Sequence, residues 1–440
     1  MYENLNVLII GAGKSGVSVA KLLASKNKIV LSDINPLDDI TKKELNDIGV
    51  EVVITENQLS LLNNTWDLVI KNPAIMYTSE IVKKIHELGL RCENEMEVAY
   101  HFLPKDVTIV GITGSNGKTT TTTLVYELLK RMHQNVVLGG NIGYALCEVI
   151  DKVHSNDILL LEISDHQLCD FNDFKTHIGA ITNICPTHLD YHGTYEHYMW
   201  TKGKIFNKHT NADIAIINAN NEDSMIVSKK IPSKKIYFND DINYIRDNII
   251  YVDNKEVINT NEIRLKGQHN YEDILLALLI VKQFSFDTDI IKDFLRDFNG
   301  VEHRIEFVKV INGVEYYNDS KSTNPTATIT ALKTFNKPIH LILGGLERNQ
   351  DFNELNDYLK NVKYIYAIGT ISDRVYDYAK SVGIPCFNCC ELKKAMQEIK
   401  KNVEKGDVVL LSPGSSSQDQ YKRFEDRGTE FKNIVENFEI

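Results

Sequence analysis

Apolar and polar positions follow two periods along this chain, and the order of those periods predicts the fold. NVLIIG near the N-terminus is an apolar run of strand length closed by glycine. SGVSVAKLLASK then places its apolar residues at helical spacing, and KIVLSD returns to a buried strand. VEVVIT, DLVIK and a helix around SEIVKKIHELG carry the alternation to about residue 96. Strand–helix alternation of this kind predicts a parallel sheet with helices on its faces.

VTIVGITGSNGKTTTTTLVYELLK opens a second section with a strand, a glycine-rich turn and a helix. DILLLEIS, HIGAITNIC and ADIAIINA are further buried strands. Between about Asn239 and Arg264 the runs YIRDNIIYV and KEVINTNEIRL predict an antiparallel meander. LKGQHNYEDILLALLIVKQF then predicts a helix introduced by a loop. Asn299-Gly300 is a turn signal and the expected second boundary. Beyond it GVEYYNDS, PIHLILGG, KYIYAIG and GDVVLLSPG are strand-then-loop units separated by helices. The fold class is therefore α/β, in three successive blocks: 1–96, 97–300 and 301–440.

Composition narrows the class. The 440 residues suit two to four domains, and 43% hydrophobic with 25% charged content suits packed cores. A net charge of −11 argues against nucleic acid or an anionic membrane as the main partner. It leaves phosphate binding open, because backbone amides and a few placed lysines suffice. The N-terminal run has no cationic stretch before its apolar residues, so a signal peptide is not expected. No apolar stretch reaches the ~18 residues of a membrane helix. Cys386, Cys389 and Cys390 cluster without a nearby ligand pair to complete a metal site, and the seven cysteines suit reduced thiols in the cytosol.

Two turns carry candidate chemistry. Gly114-Ser115-Asn116-Gly117-Lys118-Thr119-Thr120 follows a strand and opens a helix. There the glycines admit phosphate close to the backbone, Lys118 reaches the β- and γ-phosphates, and the Thr119 hydroxyl can ligate Mg²⁺. The general pattern has one more glycine, at the position of Ile112. A plain glycine turn does not explain strand, loop, Gly-Lys-Thr and helix in that order. Gly11-Ala12-Gly13-Lys14-Ser15-Gly16 is likewise set between strand and helix, with Asp33 ending the next strand. That suits a diphosphate and a ribose hydroxyl. A dehydrogenase fused to a kinase, or an ATP-driven enzyme acting on a nucleotide conjugate, would both carry two such turns.

Further motifs follow in order: Gly-Gly-Asn-Ile-Gly at 139–143, Glu162 after a buried strand, and Asn183-Ile-Cys-Pro-Thr-His188-Leu-Asp190. Next come Lys202-Gly-Lys-Ile-Phe206, Gly267-Gln-His-Asn270, His303-Arg304 and Asn318-Asp-Ser-Lys-Ser-Thr-Asn-Pro325, then Ser412-Pro413 and Phe424-Glu-Asp-Arg-Gly428. With the phosphate loop, this series resembles the Mur ligases over essentially the whole chain, and most of all the members that add D-glutamate. The resemblance implies a Rossmann-like UDP-binding block, a central phosphate-loop ATPase block and a C-terminal Rossmann-like block. It implies ATP-dependent joining of D-glutamate to UDP-N-acetylmuramoyl-L-alanine through an acyl phosphate, in the cytoplasm and by a monomer.

The resemblance also implies roles residue by residue. Glu162 is similar to the family's Mg²⁺ ligand, and His188 to the ligand of a second Mg²⁺. Lys202 resembles the lysine that carries a carbamate, since a protonated amine would be a poor neighbour for a cation. Lys204 is its competitor, with a less fitting distance to Ile205-Phe206. Asn270, Arg304 and Asp319 look like holders of adenine, phosphate and ribose. Lys321 looks placed for phosphate or the amino acid, and Thr323, Arg348, Ser417 and Phe424 for D-glutamate. Lys14, Ser15 and Asp33 look like uridine-diphosphate contacts, and Asn141 like a contact to the sugar or alanine.

The chain departs from the family's pattern at four places. Ile163-Ser-Asp165-His166-Gln-Leu168 replaces a Ser-Ser-Phe-Gln-Leu-type run, and Asn72-Pro73-Ala74 replaces a Ser-Pro-Gly turn. Arg348 stands where a lysine is familiar, and Gln418 replaces an apolar residue. Competing readings each lack something. A folylpolyglutamate synthase should lack the N-terminal UDP block, and the alanine, diaminopimelate and lysine adders differ in the first turn or third block. A binding protein without turnover should lack Lys118, Glu162, His188 or Lys202, and a dehydrogenase rests on the first glycine turn alone.

Overall fold

The computed structural model describes residues 2–347 and 350–437. It divides into two compact units, 1–296 and 297–440. The first unit holds two parallel sheets. One has the order Glu51–Ile54, Lys28–Asp33, Asn6–Ile10, Leu68–Lys71, Cys92–Glu93. Its strands are apolar without alternation because both faces are covered. Val7 and Ile9 enter one core while Leu8 and Ile10 enter another on the opposite face. Strand order reverses beside Asn6–Ile10, which opens a crevice at the carboxyl ends of that strand and Leu68–Lys71. The first glycine turn occupies that crevice. Its helix Lys14–Leu23 packs so close that a Cβ on Gly16 would collide with the Gly11 carbonyl.

The second sheet runs Lys234–Phe238, Ile214–Asn218, Ile178–Ile181, Thr108–Thr113, Ile158–Glu162, Val136–Gly140, again all parallel. The expected meander is present as Tyr244–Arg246, Ile249–Val252 and Lys255–Asn259. Asp247-Asn248 and Asp253-Asn254 all have positive φ, between 51° and 60°. That backbone suits type I′ hairpin turns, and Asn and Asp tolerate it best after glycine. The helix Gln268–Val281 is buried without a break from Asp273 to its end.

The second unit has one six-stranded sheet: Glu306–Ile311, Val314–Asn318, Val408–Leu411, Ile339–Gly344, Val362–Ile368, Cys386–Cys390. Only the first strand is antiparallel, paired as a hairpin with the second. Val408 and Leu410 face one core, Val409 and Leu411 the other. Among the described residues no helix is long and apolar enough to cross a membrane.

Buried polar groups tie the first two sheets together. Lys71, at the end of its strand, pairs with Asp170 at 2.8 Å, with the two side chains 1% and 9% exposed. Asn94, fully buried, donates from Nδ2 to the Gln167 carbonyl at 2.6 Å. Glu97, His101 and Asp173 bring ligand atoms close together. The Glu97 carboxylate, however, accepts from the amides of Asn172, Asp173 and Phe174 at 2.6–3.1 Å, so the group anchors a loop.

Removing one member of a buried ion pair strands the other. Lys71→Ala should therefore lower unfolding free energy by about 3–5 kcal/mol, whereas Lys71→Met with Asp170→Leu should recover most of it. Urea denaturation checks this. Equal losses in the single and double variants would show that the pair is not coupled.

Candidate active site

The strand Thr108–Thr113 hands the chain to the helix Lys118–Arg131 through residues 114–117, with Gly117 capping the helix at φ 82°. No side chain caps that end. Its first amides and the positive end of its dipole are left for an anion. The loop is laced to its neighbours. Ser115 Oγ donates to the Cys185 carbonyl at 3.0 Å and lies 2.6 Å from the Tyr198 hydroxyl. The Asn116 amide donates to Asn183 Oδ1 at 3.1 Å, and Thr182 Oγ1 donates to the Asn116 carbonyl at 2.5 Å. Lys118 Nζ donates to the carbonyls of Gly114 and Ser115 at 2.8 and 3.1 Å, which holds the cation at the loop. Thr119 is buried and Thr120 half-buried behind it.

Glu162 ends the next strand of the sheet, 2% exposed. Its Oε1 accepts from Asn141 Nδ2 at 2.6 Å, and its Oε2 is buried with no hydrogen-bond partner. A buried carboxylate oxygen left open is costly unless a cation completes it. With the Thr119 hydroxyl at the start of the helix that follows the loop, the donor types suit a hard ion such as Mg²⁺. His188, exposed and at φ 52°, caps the helix Leu189–His192. It lines a cavity of about 580 Å³ together with Lys14, Ser15, Asn72, Asn141 and His166. Asp33 lies apart, in a neighbouring cavity of about 620 Å³ that Lys14 also lines. Its carboxylate accepts from the amides of Ala12 and Asn35 at 2.6 and 2.9 Å.

Lys202, on the helix Tyr195–Gly203, is fully buried. Its Nζ donates to Asp165 Oδ1 at 3.0 Å and to Thr113 Oγ1 at 3.3 Å. Asp165 Oδ2 lies 2.9 Å from His192 Nε2, whose other nitrogen lies 3.0 Å from His197 Nδ1. With an ionised Asp165 as acceptor, His192 donates from Nε2 and accepts from His197. Burial and the Lys118 ammonium pull Lys202 below its ordinary value, against Asp165. Burial pushes Asp165 up, but the His192 hydrogen bond and Lys202 outweigh it and hold the carboxyl well below the usual range. Burial brings His166 down to about 4, so it is neutral at physiological pH. Lys204 is turned elsewhere and donates to the Cys169 carbonyl at 2.6 Å.

The remaining expected residues are distributed between the units. Asn270 opens the helix Gln268–Val281 and donates to the Lys266 carbonyl at 2.7 Å. In the second unit Asp319 is buried, accepting from the Ile305 amide at 3.1 Å and Ser412 Oγ at 2.6 Å. Burial lifts its pKa to about 6. Its carboxylate is thus occupied in joining two loops at the sheet edge. Arg304 and Lys321 are half-buried near it in sequence, Thr323 is exposed, and Ser417 is buried. The Phe424 ring meets His303 edge-on at 6.2 Å. Arg348 lies outside the described residues. Sequence reasoning missed Arg427, 1% exposed, which donates to Ser320 Oγ and to the carbonyls of Ser320 and Ser415 at 3.0–3.1 Å. It also missed His192, which carries no local signal, whereas Arg427 stood within the Phe424–Gly428 motif without a role being given to it.

A phosphate loop, an open carboxylate on the adjoining strand and a second nucleotide-type turn that shares a cavity with Asn141, the hydrogen-bond partner of that carboxylate, define an ATP-using enzyme that acts on a nucleotide conjugate. Comparison with known proteins makes the class specific. Residues 112–281 match the Mur ligase middle domain, and residues 303–414 the Mur ligase, glutamate ligase domain. The chain is 41% identical to the UDP-N-acetylmuramoylalanine–D-glutamate ligase of Geobacillus kaustophilus, over 99% of this chain and 98% of the other. It is 39% identical to the Bacillus cereus enzyme of the same name over the same shares. Crystal structures of MurF from Acinetobacter baumannii (TM-score 0.58, 15% identity, 99% and 92% covered) and of a UDP-N-acetylmuramate–alanine ligase from Thermotoga maritima (0.56, 16%, 99% and 100%) share the fold. The chain belongs to the Mur ligase family, in its D-glutamate-adding branch, which works in peptidoglycan precursor synthesis with ATP and Mg²⁺.

Gly117 is tightly constrained, because a Cβ there would meet the Asp273 carboxylate as well as the left-handed backbone. Gly117→Ala should cost about 1–2 kcal/mol of stability from the backbone alone. It should also abolish the thermal shift produced by ADP. An unchanged shift would mean that nucleotide is held elsewhere.

Proposed function

We propose that the chain joins D-glutamate to the carboxylate of UDP-N-acetylmuramoyl-L-alanine, with residues 1–96 holding the UDP group, 97–300 the ATP and 301–440 the amino acid. One observation carries this most. The first glycine turn, Asn141 and His188 share a cavity, and Asn141 in turn holds Glu162 on the strand beside the phosphate loop. A nucleotide conjugate and a phosphate donor can therefore meet at one sheet edge. The substrate carboxylate attacks the γ-phosphorus and ADP leaves. The D-glutamate amine then attacks the acyl carbon, loses a proton, and the tetrahedral adduct expels phosphate. Lys118 neutralises charge on the group in transfer. Lys14, Ser15 and Asp33 hold the uridine diphosphate, and Asn141 the sugar–alanine part. Asn270, Arg304 and Asp319 hold the nucleotide. Lys321, Thr323, Arg348, Ser417 and Phe424 receive D-glutamate.

Thr119 and Glu162 would hold one Mg²⁺, and His188 with an anionic oxygen in the Lys202 pocket the second. Bound there, the ions would supply charge neutralisation on the phosphates. A carbamate on Lys202 is the donor that the resemblance implies, and the burial that disfavours the ammonium supports it. Asp165 is the rival source of negative charge at the same place. The reaction belongs in the cytoplasm, where its ATP is available, and one chain suffices for it.

Phosphate release from ATP with UDP-N-acetylmuramoyl-L-alanine should require D-glutamate and fail with L-glutamate, L-alanine or lysine. Equal rates with L-glutamate would overturn the assignment. Lys118→Ala should lower turnover by about 10²–10³-fold. Ser417→Ala should raise the KM for D-glutamate, and leave that for ATP nearly unchanged, by the ~1.5–3 kcal/mol of a charge-assisted hydrogen bond. Steady-state kinetics with each substrate varied in turn would expose a shared effect, which would make Ser417 a closure residue.

A further inference from the structure

Two departures from the family's pattern meet at one wall of the substrate cavity. Gln167 and Leu168 fix the register of Ser164-Asp165-His166-Gln167-Leu168 against the Ser-Ser-Phe-Gln-Leu run, so His166 stands at the phenylalanine. The ring keeps an aromatic contact, meeting Tyr191 edge-on with centroids 3.9 Å apart. Tyr191 is 4% exposed and donates its hydroxyl to the Pro73 carbonyl at 2.9 Å, in the other departing turn. The loop's backbone is held by Ser164, whose amide donates to Gln167 Oε1 at 2.9 Å. His166, Tyr191 and Pro73 all line the cavity of about 580 Å³.

What histidine adds to this wall is a polar edge. Its side chain is 27% exposed, and Nε2 lies 3.8 Å from Asp165 Oδ2, beyond hydrogen-bond reach. Among the described residues no hydrogen bond reaches either ring nitrogen. An imidazole carries at least one N–H whether neutral or charged, so a donor is available in either state. Lys14 and Ser15 of the glycine turn line the same cavity, as do Asn141 and His188. A ring separation of 5.1 Å from His188 sets His166 beside the latter pair. In UDP-N-acetylmuramoyl-L-alanine the polar group next to the reacting carboxylate is an amide, whose carbonyl needs a donor once it leaves water.

We propose that His166 is a specificity-determining residue of this chain, and that its ring N–H binds the carbonyl of the amide joining the muramoyl group to alanine. The inference rests on the reading of UDP-N-acetylmuramoyl-L-alanine as the substrate. A phenylalanine could pack on Tyr191 but has no N–H, so the contact belongs to this chain and not to the family's pattern. His166→Phe therefore removes the hydrogen bond and keeps the ring.

The test is calorimetric titration of the intact enzyme with UDP, UDP-N-acetylmuramate and UDP-N-acetylmuramoyl-L-alanine. His166→Phe should weaken binding of the alanine-bearing ligand by about tenfold, the effect of leaving one buried carbonyl without a donor. Binding of the other two should change by less than about twofold. His166→Gln, which keeps an N–H donor, should retain most of the affinity. Unchanged binding in His166→Phe would overturn the proposal. So would an equal loss for UDP-N-acetylmuramate, which would put the contact on the sugar. A shift in the half-saturating Mg²⁺ concentration with ligand binding unaltered would make His166 a partner of the cation instead. If His166→Phe does not fold, His166→Ala takes its place in the same titrations. A wild type that binds UDP-N-acetylmuramoyl-L-alanine no more tightly than UDP would sink the substrate reading itself, and the proposal with it.

Discussion

A parallel strand passes the chain on only at its carboxyl end, and every strand of a parallel sheet points the same way. The loops that follow are thereby gathered at one edge, whatever their distance in sequence. Here that constraint brings residues 114–117, Glu162 and Thr182 to the ends of three adjacent strands of the second sheet. It does the same for Asp319 and Ser412 in the second unit, where their hydrogen bond closes two strand ends together. In that unit's sheet the one antiparallel strand among the described residues, Glu306–Ile311, is confined to the margin and leaves that edge undisturbed.

What occupies the edge is chiefly a problem of charge. The phosphate loop presents dipoles and one lysine, and Glu162 an oxygen without a partner. Lys202 sits behind them in complete burial, where a cation is tolerable only if paired. The pairing comes from a residue that looks anomalous when read alone.

Legibility in the sequence follows how local each feature is. NVLIIG, DILLLEIS and GDVVLLSPG were visible because a strand covered on both faces needs an unbroken apolar run. Cys386–Cys390 and Lys234–Phe238 end their sheets, need apolar residues on fewer sides, and gave no such run. The phosphate loop was visible since all of its chemistry lies within seven residues. The roles of Glu162 and His188 entered only through the family resemblance. Asp165 stood out as a departure, but its pairing with Lys202, 37 residues on, has no local pattern. Arg427 shows the same limit, because a fully buried arginine reads in sequence as a solvated one.

The Lys71–Asp170 pair bears on how freely such a protein could exchange its parts. Three blocks in a row suggest cassettes, each replaceable by the equivalent piece of a relative with another nucleotide-sugar preference. Yet the seam between the first two is closed by a cation from one side and an anion from the other, both out of water. A transplanted first block would leave Asp170 facing whatever the donor carries at the position of Lys71. The unit of inheritance is then 1–296 as a whole, and recombination within it must carry both ends of that bond.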